Sequence, residues 1–128
     1  MTKKVLYVGD PDEIDLVPSF LQSEGGFELD IVYTAEDAER AVSSEKYRGV
    51  FMGSLRLPLR RNCASGDKEG LDLIRMLKEK GLAVIVLTEA GPDKVEEAKR
   101  LGASRVIPKL ASFKDYIPAA KELFGRED

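Results

Sequence analysis

Gly49-Val50-Phe51-Met52-Gly53-Ser54-Leu55-Arg56-Leu57-Pro58 lies near the middle of the chain, and its reading decides the rest. Val50, Phe51 and Met52 form an apolar run without helical period, the pattern of a strand covered on both faces of a parallel sheet. Gly53 and Ser54 end that run. In an open α/β sheet ligands bind at the carboxyl ends of the strands, so these two positions mark where reactive groups belong. A glycine and a hydroxyl stand there, with no acid, base or metal ligand beside them.

Working outward, the same alternation of short apolar runs and amphipathic segments repeats on both sides. Val5 to Val8 reads as the first strand, closed by Gly9-Asp10-Pro11, with Asp10 as a helix cap and Pro11 in the first turn. Ile14, Val17 and Leu21 keep helical spacing up to Gly25-Gly26, and Pro18 predicts a kink or an early break. Phe27 to Tyr33 reads as an edge strand with Phe27, Leu29, Ile31 and Tyr33 on one face. Thr34 caps a helix that carries Ala35, Ala38 and Val42 inward. After the central strand, Gly70 opens a helix with Leu71, Ile74 and Leu77 inward, stopped near Lys80-Gly81. Ala83 to Leu87, rich in β-branched residues, is a central strand, and Thr88 begins its exit loop. Asp93 to Leu101 is a helix, Arg105 to Ile107 a last short strand, and Ser112 starts a final helix carrying Phe113, Ile117, Ala120 and Phe124. Five β-α units predict one doubly wound domain over residues 1–128, a parallel sheet of order 2-1-3-4-5 with helices on both faces.

Composition narrows the function. The 128 residues carry a net charge of −3, with 43% hydrophobic residues, and the pI is near 5.2. An acidic chain argues against broad nucleic-acid binding, because a surface that tracks phosphates is basic. There is no histidine, which removes histidine-based catalytic pairs and histidine-ligated metals, and Cys63 is the single cysteine, so no internal disulfide forms. The apolar stretch near the start is too short for a signal peptide or a membrane span, and a cytoplasmic protein is expected.

The carboxyl-end residues are Gly9, Asp10, Gly53, Ser54, Thr88 and Lys109. Together with Lys-Lys-Val-Leu-Tyr-Val-Gly-Asp at the start, Leu-Arg-Leu-Pro58, Gly-Leu-Asp-Leu-Ile at 70–74, Val-Leu-Thr88 and Gly-Ala103, they make the chain resemble a response-regulator receiver domain, flavodoxin-like in fold, along nearly its whole length. The resemblance implies a phosphoryl acceptor aspartate after strand three, an acid pair after strand one that helps bind magnesium, a Thr or Ser after strand four and a Lys after strand five. Thr88 and Lys109 match. The acid pair is reduced to Gly9 and Asp10, and the acceptor position falls on Ser54 counting back from Pro58 or on Gly53 counting forward from Tyr47. The aromatic that the resemblance places three residues before the Lys is Val106, and the following proline is Leu110. Each missing carboxylate removes about 4 kcal/mol of attraction for a unit charge at about 4 Å and an effective dielectric of about 20, and magnesium depends on such oxygens. A neutral Ser54 needs a general base that Asp10 is too weak to be.

The resemblance therefore implies a degenerate pseudo-receiver: a non-enzymatic interaction module, without cofactor or metal, whose partner is a signalling protein such as a histidine kinase or a regulator. Two other readings stand beside it, a receiver phosphorylated at an unconventional residue and a small-ligand domain reusing the crevice. No Gly-x-Gly-x-x-Gly or Walker-type loop follows any strand. The eleven residues between Pro58 and Gly70 exceed what the family spends there; they make either a binding element or a solvated loop. Arg56, Arg60 and Arg61, with no acid among them, suit an acidic or phosphorylated partner. Those arginines and Val106 are the partner-binding candidates, and Cys63 reads as an inert thiol.

Overall fold

The computed structural model describes residues 4–10 and 15–125. Five strands, β1 (Lys4–Val8), β2 (Glu28–Val32), β3 (Val50–Met52), β4 (Val84–Thr88) and β5 (Arg105–Pro108), alternate with five helices, α1 (Val17–Ser23), α2 (Ala35–Ser44), α3 (Asp67–Glu79), α4 (Pro92–Leu101) and α5 (Phe113–Phe124). All pairings are parallel and the sheet order is β2-β1-β3-β4-β5. The doubly wound domain expected from the sequence is the observed one, with β2 at an edge and β3 in the centre.

The period of two along each strand splits the core. Leu6, Val8, Val50, Met52, Val84 and Val86 join Ile74 and Leu77 of α3 and Ala98 of α4 on one face. Val5, Tyr7, Phe51, Ile85 and Leu87 join Leu21 of α1 and Tyr116, Ile117, Ala120 and Phe124 of α5 on the other. Burial on both faces is why β3 and β4 read as unbroken apolar runs.

Several local expectations change. Asp10 does not cap α1, which begins at Val17 with Leu16 as its N-cap; one residue before the cap, the Asp15 Oδ1 accepts from the Val17 N–H at 2.9 Å. Pro18 then stands in the first turn, where its missing N–H has no partner to lose, and kinks nothing. Pro11 and Ile14 lie outside the described residues. α3 begins at Asp67, three residues before Gly70. Gly70 has a different task, because a Cβ there would sit 1.8 Å from the Leu55 carbonyl oxygen. Its absence lets α3 close directly on the chain leaving β3. In β2, Leu29 joins one core face and Val32 packs on the opposite one, but Ile31 and, one residue past the strand, Tyr33 are exposed and not in the core. Thr34 caps α2, accepting from Asp37 N at 3.0 Å. Gly81, at φ +77°, ends α3 with a conformation that a side chain would strain. Ser112 and Asp115 form a reciprocal capping box on α5.

Candidate functional site

The strands β1, β3, β4 and β5 bring Asp10, Ser54, Thr88 and Lys109 to one cleft of about 240 Å³ at their carboxyl ends. Ser54, and not Gly53, shares this cavity with the other three. Ser54 is buried, and its hydroxyl is turned to its own chain: it accepts from the Arg56 N–H at 3.1 Å and donates to the Arg56 carbonyl at 3.2 Å. The buried Thr88 hydroxyl likewise accepts from the Ala90 N–H at 3.0 Å, and the Lys109 N–H donates to the Thr88 carbonyl at 3.1 Å. Both hydroxyls thus act first as loop braces, bonding local backbone as Ser and Thr do at strand ends.

Gly53 lies under the ring of Tyr7 and lines an adjoining cavity of about 340 Å³ with Asp15, Glu89 and Lys109. A Cβ on Gly53 would stand 1.9 Å from the Tyr7 hydroxyl, so the ring can lie there only because residue 53 has no side chain. The Tyr7 hydroxyl donates to Asp15, which holds the buried ring by its polar end. Gly9 is less crowded: an added Cβ would meet Tyr7 at 3.2 Å, a tight contact, and Tyr33 at 3.4 Å, an ordinary one. The two positions that lack a carboxylate after β1 and before Ser54 are therefore glycines against which aromatic rings have been laid.

Three groups enter the cleft that sequence reasoning did not place there. Glu89 follows Thr88, and Arg56 and Asp67 come from the two roots of the long loop. Leu57 and Gly66 form an antiparallel bridge, with N–H to carbonyl distances of 3.2 and 3.1 Å, which turns the loop into a closed hairpin and sets Arg56 and Asp67 at its base. The Arg56 guanidinium also donates to the Ser65 carbonyl at 3.4 Å. The available signal was the buried pair Leu55 and Leu57 flanking Arg56, a strand-like alternation continuing past Gly53.

The loop is tied on its other side too. The Ala35 and Glu36 N–H groups at the start of α2 donate to the Pro58 and Leu59 carbonyls at 3.0 and 2.8 Å, using helix donors that have no partner within the helix. This disperses the arginines. Arg56 faces the cleft, Arg60 pairs with Glu36 at 3.3 Å, and Arg61 borders a separate cavity beside α2. Val106 lies in β5 on the wall of a further cavity of about 390 Å³ with Ala90, Val95 and Leu110, the last almost fully exposed.

Among the described residues the cleft shows no set of ligands for magnesium. Asp10, Asp67 and Glu89 are its carboxylates, Arg56 and Lys109 already bring two cations among them, and no three acidic, histidine or cysteine side chains among the described residues converge on one point. Magnesium demands near-octahedral oxygens and gives up its water reluctantly. No described helix is long and apolar enough to cross a membrane.

The chain has the flavodoxin-like fold of CheY-type response-regulator receiver domains. It superimposes on a CheY-like receiver domain protein from Methanospirillum hungatei with a TM-score of 0.77 at 21% identity, over 98% of this chain and 95% of the other. The receiver domain of NtrX from Brucella abortus gives a TM-score of 0.76 at 23% identity, over 96% and 99%. The receiver domain of a sensor histidine kinase from Pseudomonas aeruginosa, which holds a magnesium ion in its active-site cleft, gives 0.75 at 18% identity, over 98% and 100%. No family model matches the sequence and no curated protein matches it.

Proposed function

We propose that this chain is a pseudo-receiver, a cytoplasmic signal-transduction module that keeps the receiver fold, takes no part in phosphoryl transfer and acts by binding a signalling protein such as a histidine kinase or a regulator. The observation that carries the reading is Ser54, which stands in the cleft with Asp10, Thr88 and Lys109 and whose hydroxyl is bonded to the Arg56 backbone. A hydroxyl becomes a phosphoryl acceptor only with a general base beside it. Gly9 supports the same conclusion for the metal, since it leaves Asp10 as the one acid of the pair, and a side chain there would need the Tyr7 ring to give by a few tenths of an ångström. Asp10 and Lys109 then contribute opposite charges to one cleft, and its electrostatics are partly balanced without an ion.

The coupling between cleft and partner surface is reduced as well. Thr88 is braced on Ala90, and Val106 is short and restricted at χ1, so neither performs the swing that an aromatic in β5 allows. The surface of α4, β5 and α5 accordingly holds one conformation and binds its partner constitutively. Incubation with acetyl phosphate and magnesium followed by intact-mass measurement is the test. The protein stays at its unmodified mass; a phosphoryl adduct lost in Ser54→Ala would establish the alternative, a receiver modified at an unconventional residue.

A further inference from the structure

The largest of the cavities described here, about 660 Å³, lies outside the cleft, between the long loop and the start of α2, and shares no lining residue with it. Its volume falls within the range of about 300 to 1,000 Å³ typical of small-molecule sites. The walls are held in place: the Leu57–Gly66 bridge closes the loop, and the first two N–H groups of α2 are bonded to the Pro58 and Leu59 carbonyls. Tyr33 forms one side. Its ring is half-exposed, and one edge lies 3.4 Å from where a Cβ on Gly9 would be.

The charges point to the ligand. Arg60 pairs with Glu36, and Arg40 pairs with both Glu36 and Asp37. Arg61 borders the cavity and makes no ion pair or hydrogen bond among the described residues. Three guanidinium groups thus stand against two carboxylates, and the loop from Leu55 to Gly66 contains no acid. Of the residues lining the cavity Arg61 and Asp37 are charged, and Asp37 is already paired with Arg40, so the charge left to a ligand is the Arg61 guanidinium, whose planar fork fits a phosphate. Asp37 and Ser65 add acceptors for hydroxyl or N–H donors.

From a free arginine, a half-exposed aromatic ring and flanking acceptors around one cavity, we infer that this is a binding site for a nucleoside monophosphate, the base lying on Tyr33, the phosphate on Arg61 and the sugar toward Asp37. It is a site added by the loop, independent of the pseudo-receiver reading.

Cys63 provides the readout, because it is exposed, borders this cavity and is the only cysteine in the chain. Alkylation of the full chain by iodoacetamide is followed by intact mass, with adenosine, guanosine, cytidine and uridine monophosphates as probes. At least one of them slows alkylation saturably, whereas the matching nucleoside, ribose phosphate and inorganic phosphate, each lacking a required part, protect far less. Arg61→Gln weakens the protection by about tenfold or more, the loss of one charge-assisted contact. Tyr33→Ala weakens it comparably, while Arg61→Lys retains part of it and Ser54→Ala, in the neighbouring cleft, leaves it unchanged. All the varied residues except Ser54 are exposed, and circular dichroism verifies that each variant folds. Absence of saturable protection by any of the four, protection that survives Arg61→Gln, or equal protection by inorganic phosphate would overturn the assignment.

Discussion

The two faces of the sheet are filled by different chemistry. The buried side chains under α2, α3 and α4 are aliphatic or methionine, from Leu6 and Val8 to Ile74 and Leu77. Those under α1 and α5 include five aromatic rings among aliphatic groups: Phe51 stacks on Tyr7 at 5.8 Å and meets Tyr116 edge-on at 5.7 Å, and Phe27 meets Phe124 at 6.2 Å. Aliphatic groups can end wherever the strand ends. A tyrosine on the same strand is longer, rigid, and needs a partner for its hydroxyl. Tyr7 finds that partner in Asp15, beyond the end of β1, and its ring covers Gly53 on the way. The loss of side chains at the carboxyl end is therefore linked to how one face of the core is packed, and the other face had no such effect.

The greatest loss should come from cutting into the aromatic face. Phe51→Ala removes a ring held by two others and should cost about 4 kcal/mol, while Phe51→Leu should cost more than Met52→Leu, its neighbour on the aliphatic face. Urea unfolding of the three variants measures this; equal costs for the two leucine variants would mean that the ring geometry contributes nothing beyond volume. A smaller effect is predicted for Gly53→Ala. The new methyl group must displace the Tyr7 hydroxyl, at a cost of about 1–3 kcal/mol, and Tyr7→Phe in the same chain should recover part of it, giving a coupling energy above about 0.5 kcal/mol in a double-mutant cycle. Strict additivity would show that the two residues do not oppose each other.

The smallest effect lies at the opposite end of the sheet. There Lys4 bonds Glu45 at 3.0 Å and Asp30 at 3.1 Å, and the Tyr47 hydroxyl lies 2.7 Å from Asp30 and 3.0 Å from Glu45. The Tyr47 hydroxyl, and next the ammonium of Lys4, hold the Asp30 carboxyl below its ordinary value of 3.8. Burial and then Asp30 push the Tyr47 phenol above its ordinary value, and the bonds to Glu45 and Asp30 raise Lys4. A depressed carboxyl stabilises the fold above its unfolded pKa and loses that contribution as the pH falls through the folded one; the raised Tyr47 and Lys4 lose theirs as the pH climbs past their ordinary values near 10 and 10.5. Stability should thus fall at both extremes, and Tyr47→Phe should flatten both limbs while costing no more than about 1 kcal/mol at neutral pH, as for partly exposed polar pairs. An unchanged pH profile in that variant would remove the cluster from the account.

Local chemistry determined most of the architecture. The apolar runs at 50–52 and 84–87, the Thr34 and Ser112 caps and the glycine stop at Gly81 depend on neighbours within a few residues, and they place the strands, the sheet order and the positions of Ser54, Thr88 and Lys109 at the strand ends. What depended on distant partners was hidden. That Asp15 accepts from the Tyr7 hydroxyl, that Tyr7 lies over Gly53, that Leu57 pairs with Gly66 and so carries Asp67 into the cleft while Arg56, Arg60 and Arg61 separate, are contacts between groups whose meeting is set by packing rather than by spacing. A glycine looks the same in sequence whether it frees a turn or makes room for a ring, and only the tertiary structure shows that Gly9 and Gly53 do the latter, because the atoms filling the space beside them come from Tyr7, and at Gly9 also from Tyr33.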